Sequence, residues 1–134
     1  MANQYKLQGD TTVAKINEWS VNNVPSTATQ ATVTKAAAGA GIRHVCKVIS
    51  ATIACGATAQ TPIQIYLRDG ATGTGTILWA ATVAAPADGV GGIMFDNLNI
   101  MGSANTAMTL EFSGAGVTAS QQVVTLAGFD IAMS

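Results

Sequence analysis

From Ile42 to Ile131 apolar side chains recur at every second position in short runs, and Gly, Asn, Asp and Ser interrupt those runs at intervals. A period of two sets one face of each run against a core, so the runs read as β-strands and the interruptions as turns. The clearest is Ile63-Gln64-Ile65-Tyr66-Leu67-Arg68, with Ile63, Ile65 and Leu67 inward, ending at Asp69-Gly70. Asp-Gly suits a tight hairpin turn, so the pattern predicts a loop to Gly75 and a return strand from Ile77 to Val83. On that strand Ile77, Trp79, Ala81 and Val83 share a face, and Pro86 with Asp88-Gly89 marks the next turn.

The long run Ile42 to Cys55 changes parity: Ile42, Cys46 and Val48 fall on one side, Ile49, Ala51 and Ile53 on the other. The buried face therefore switches near Val48 and Ile49, through a bulge or a crossing between sheets. Ile93-Met94-Phe95 and Leu98-Asn99-Ile100 read as one strand with an irregularity at Asp96-Asn97. Thr106 to Ser113 sets Met108, Leu110 and Phe112 against Ala107, Thr109 and Glu111, and the last strand, Gln121 to Ile131, is partly apolar on both faces. About seven or eight strands at spacings of about ten to fifteen residues, with no helical period long enough for a crossover, predict an all-β fold. The expected architecture is a two-sheet antiparallel sandwich, jelly-roll-like, because the long strand can serve both sheets.

Residues 1–30 differ from the body at 31–134, being polar, rich in Asn, Gln and Thr, and broken by Pro25. They read as an extended N-terminal arm, in which Asp10-Thr11-Thr12 either caps a short helical turn or continues an extended segment. Its large apolar groups, Val13, Ile16 and Trp19, are the candidate partner contacts, since an arm bearing a tryptophan tends to tie down onto a surface.

Composition narrows the function. The chain of 134 residues is 49% hydrophobic and only 10% charged, with net charge −1 from six Lys or Arg and seven Asp or Glu. Without a basic stripe no nucleic-acid partner is expected, and no run of about twenty apolar residues supplies a membrane span. The start lacks the apolar stretch of a secretory signal, which points to synthesis in the cytoplasm.

Chemistry is sparse. His44 and Cys46 lie two apart on one strand, a spacing of about 6 to 7 Å that is outside hydrogen-bond reach, and neither an oxyanion-hole signature nor a GxSxG elbow accompanies them. Cys46 and Cys55 are expected as free thiols, and a lone histidine without a CxxC pair makes no zinc site. Asp69 and Asp88 precede glycines and are explained by turns, Asp96 and Asp130 adjoin aromatic residues at strand ends, and no carboxylate spacing selects a catalytic pair or a calcium loop. The expectation is a protein that is not an enzyme, with no catalytic residue, no cofactor and no metal. Tyr66, facing away from Ile65 and Leu67, leaves open a second class, a glycan-binding β-sandwich module of a phage tail or cell surface.

Three phrases carry a resemblance: Lys35-Ala36-Ala37-Ala38-Gly39-Ala40-Gly41-Ile42-Arg43-His44-Val45-Cys46, Ile65-Tyr66-Leu67-Arg68-Asp69-Gly70, and Gly102 to Phe112. Over about residues 31 to 132 the chain resembles the capsid decoration, or cement, proteins of tailed bacteriophages that have jelly-roll bodies. That resemblance implies a structural virion protein on the capsid exterior. It further implies that the protein bridges major capsid protein subunits and associates with its own copies as a dimer or trimer.

Overall fold

The computed structural model describes the backbone at residues 3–6 and 12–133 and side chains at 15–132. Every regular element among them is a strand: β1 (Asn3–Lys6), β2 (Thr12–Asn23), β3 (Thr32–Lys35), β4 (Ile42–Ala54), β5 (Gln60–Asp69), β6 (Thr76–Ala85), β7 (Val90–Phe95), β8 (Ile100–Met101), β9 (Met108–Phe112) and β10 (Gln121–Met133). They form two antiparallel sheets, one in the order β1-β2-β10-β4-β7, with β8 also on β4, the other β3-β9-β5-β6. The pairs nest: β2 with β10, β3 with β9, β4 with β7 and β5 with β6. This nesting, with β10 beside β4 and β9 beside β5, is that of a jelly roll.

The core lies between the sheets. Ile49, Ala51 and Ile53 of β4 and Val124 and Leu126 of β10 face Ile63, Ile65 and Leu67 of β5 and Met108, Leu110 and Phe112 of β9, all buried. The parity change predicted in β4 occurs at Lys47, where the register against β10 slips between Ala127 and Gly128. With Lys47 as the extra residue, Cys46 and Ile49 both point inward although three positions separate them.

Two expectations need correction, and one strand face is covered in a way that alternation does not show. Over residues 12–23 the N-terminal segment is a full strand of the larger sheet, paired along β10 from Asn23 to Val13, so it belongs to the body and is extended. Its many polar residues suit a strand with one face to solvent. On β6, Ile77 leaves the face of Trp79 because the register against β5 slips between Leu67 and Arg68, which sets Ile77 opposite Arg68 and turns it outward. On β9, Thr109 and Glu111 are as buried as their apolar neighbours, because the loop after β5 folds over them.

Candidate interaction surface

The sandwich has four sheet edges. Two carry charge: on one, β1 covers β2 only from Thr12 to Lys15 and leaves β2 open beyond, with Glu18 on the open stretch, and on the other β3 ends on Lys35; charge is how proteins commonly discourage strand addition. The other two, β6 and β7, lie side by side along one margin, span ten and six residues, and hold no charged residue and no proline. Pro86 stands just outside, in the turn that joins them.

That margin also gathers apolar side chains at the surface. Met94 is 70% exposed, Val90 67%, Ile77 47% and Phe95 45%. Trp79 of β6 and Phe95 of β7 close the seam between the sheets, their rings 5.8 Å apart and nearly perpendicular at 72°. Outward from them, Ser50, Thr52, Gly92 and Met94 floor and flank a shallow depression on the larger sheet. Its floor is low because position 92 has no side chain, and a Cβ there would stand 2.6 Å from the Ala51 carbonyl oxygen.

The sequence candidates are placed elsewhere. Ile16 is the extra residue of a bulge in β2, where the register against β10 slips between Asp130 and Ile131, and it stands 47% exposed. Trp19 turns inward against the core, so its indole serves the fold. The Val13 side chain lies outside the described residues. Ile16 is thus exposed while Trp19 packs inward, and these two do not share a surface patch.

His44 belongs to a buried polar group that the sequence did not reveal. Its Nδ1 is 2.5 Å from Asp130 Oδ1 and its Nε2 2.8 Å from the Ala36 carbonyl oxygen. Trp19 Nε1 donates to the same Asp130 oxygen at 2.7 Å, and the Trp19 ring meets the imidazole edge-on at 5.4 Å. Both ring nitrogens are thus engaged, leaving none to act as a base toward Cys46. Asp130 is internal to β10 and not at a strand end. Burial pushes the Cys46 thiol up to about 12, against a weaker pull from its contact with the Val48 carbonyl, and a thiol so held is a poor nucleophile. Both cysteines are free, Cys46 buried and Cys55 half-buried.

The outer face of the smaller sheet holds a second group. Glu111 accepts from Arg68 Nε and from the Gly73 backbone N–H at 3.1 Å, and Arg68 stacks over Tyr66 at 4.9 Å. One ring face of Tyr66 is therefore roofed by a guanidinium. Asp69 accepts from the backbone N–H and hydroxyl of Ser103, tying the hairpin to the loop before β9. Among the described residues no three His, Cys, Asp or Glu side chains gather as a metal site would require.

No family model matches the chain. No curated protein matches it either. Among solved structures it is similar to one described as "CBM4 structure and function", at 17% identity and a TM-score of 0.46, over 95% of this chain and 77% of that one. Another, described as "Bacillus endospore appendages form a novel family of disulfide-linked pili", matches at 15% identity and a TM-score of 0.26, over 87% and 89% of the two chains. Likenesses of this size leave the argument to the geometry of the margin.

Proposed function

We propose that this protein is a non-enzymatic structural subunit that works by contact, docking its β6–β7 margin on other protein surfaces. The observation that carries the reading is the asymmetry of the edges. Two carry charge, Glu18 on the open stretch of β2 and Lys35 at the end of β3, whereas β6 and β7 are uncharged and lined by exposed Ile77, Val90, Met94 and Phe95. A margin of that kind left in water is an association hazard, so it suits a protein whose working state covers it.

The partner that fits the sequence resemblance is the major capsid protein of a tailed phage, with the chain decorating the capsid exterior and bridging subunits. Weak contacts repeated over a symmetric shell would add up without any single strong site. The test is sedimentation of the purified protein with its parent particle. Saturation at a fixed copy number per shell, and shells that survive higher temperature with the protein than without it, are expected. Failure to cosediment removes the reading.

A second reading, a glycan-binding module, draws on the half-buried Trp79 and the exposed Phe95 beside it, since aromatic rings at a surface are what sugar rings stack on. A glycan array separates the two: binding abolished by Trp79→Ala would favour the sugar over the shell.

A further inference from the structure

The geometry points to a second copy of this chain as the occupant of the β7 edge, paired antiparallel across a two-fold axis through Ile93, so that the two larger sheets run on as one. This deepens the reading of the β6–β7 margin as a contact surface and rests on it.

Among the described residues β7 pairs in its sheet with β4 alone, Val90 to Phe95 against Ala54 to Ile49, so one side of the strand is open to a further strand. An exposed edge of this kind is completed by strand addition, with main-chain hydrogen bonds supplying affinity and side-chain fit supplying register.

The register follows from the strand's own order, Val90-Gly91-Gly92-Ile93-Met94-Phe95. For two copies to share one continuous sheet, residues that face each other must lie on the same face, so the axis passes through a residue and not between two. An axis at Ile93 sets Met94 of each copy opposite Gly92 of the other, and Phe95 opposite Gly91. Gly92 then meets a large side chain on the outer face, whereas the inward position of Gly91 is already taken by the Ala84 carbonyl of the same copy. An axis at Gly92 would instead set Gly92 against itself and crowd Val90 against Met94, and an axis at Met94 would pair only Ile93 to Phe95 of the strand.

The surface has the matching relief. Gly92 and Met94 share the outer face with Thr52 and Ser50, their partners on β4, and the depression of about 380 Å³ lies over Gly92 between Val90 and Met94. Met94, 70% exposed, is the knob and this depression the hole, and the unbranched thioether suits an irregular gap. An isologous contact sets the same patch of both copies together, and here β7, Ser50 and Thr52 carry no charge to repel across it. The pairing leaves Ile77 on the outer face of the smaller sheet free to meet the shell.

Sedimentation velocity of the full chain over a concentration series tests the pairing. A reversible dimer is expected, weakened at least tenfold by Met94→Glu, which places a carboxylate at a site already in solvent, and unchanged by Ile77→Glu on β6. Amides of β7 should gain hydrogen-exchange protection as the dimer forms. A monomer at every concentration overturns the inference, as does a Met94→Glu protein as dimeric as the parent, or β7 amides indifferent to concentration. Self-association is read on the isolated protein and shell binding on the particle. A monomer that still cosediments with shells, and loses that binding on Ile77→Glu, would sink the two-fold pairing and leave the contact reading standing.

Discussion

The Nε1–H of Trp19 donates to Oδ1 of Asp130 at 2.7 Å, joining residues 111 positions apart in the chain. The bond links β2 to β10 on the inward side of the larger sheet, at the end where the chain beyond β3 crosses over His44. Asp130 there holds two partners with one carboxylate, and both partners are aromatic.

Loss of that carboxylate should unsettle the whole end of the sandwich. Asp130→Ala leaves the His44 ring and the Trp19 indole without their shared acceptor inside the fold, where removing one member of a buried polar set costs about 3–5 kcal/mol. Trp19→Phe removes one donor and keeps most of the packing, so a smaller loss, about 1–2 kcal/mol, is expected. Urea unfolding followed by fluorescence and circular dichroism ranks the two variants, and equal losses would contradict this account.

The Arg68–Glu111 pair predicts a local effect. Glu111→Ala takes the carboxylate from the Arg68 guanidinium, whose side chain is only 13% exposed and keeps just the Gly75 carbonyl as acceptor, and takes the acceptor from the Gly73 N–H. A stability loss of about 3 kcal/mol is expected, together with faster proteolysis within residues 70–75, which the carboxylate anchors. Limited proteolysis with mass mapping checks it, and cleavage that does not move toward this loop counts against the anchoring role.

Cys46 predicts an alkaline limit. Its thiol is raised from an ordinary 9 to about 12 by burial, so the unfolded chain releases that proton first as pH rises. The thiol's contribution is therefore complete below pH 9 and is lost progressively between 9 and about 12. Cys46→Val should flatten the fall in stability over that window in urea melts at stepped pH. In the native protein Cys55, half-buried, should react with a thiol reagent while Cys46 does not.

Gly128 tests the bulge that Lys47 makes in β4 opposite β10. A Cβ there would stand 2.0 Å from the Val45 carbonyl oxygen and 3.1 Å from Trp19 Cζ2, so Gly128→Ala forces the backbone or the indole to move. A loss of about 3 kcal/mol or more is expected. Gly114, where a Cβ meets nothing within 4 Å, is the control, and Gly114→Ala should be neutral or slightly stabilising, by about 0.5 kcal/mol. Thermal melts of both separate a steric cause from a general intolerance of substitution.

Much of the body was legible in the residues. Alternation in Ile63 to Leu67 and Met108 to Phe112 identified inward faces correctly, and the broken parity of Ile42 to Ile53 located the slip that the structure places at Lys47. Alternation failed where a bulge depends on the partner strand: nothing in Thr76 to Val83 says that β6 gains a residue against β5, so Ile77 was assigned the wrong face. The segment at 12–23 was set apart because its polar texture resembles a tail. Its membership of the sheet depends on β10 at the other end of the chain, and only pairing over that distance reveals it. The candidate surface was half legible, since the uncharged text of β6 and β7 was visible but their standing as edges was not.

By itself the sequence determined that this chain makes many short strands, few charges and no evident catalytic group, because alternation and composition act residue by residue and survive any arrangement of the strands. The tertiary structure alone decided which strands end the sheets, which acids are buried, and that Met94 stands beside the depression over Gly92. Those properties belong to strand order and to bulges, which arise when distant segments compete to cover one core, and no local pattern records the outcome of that competition.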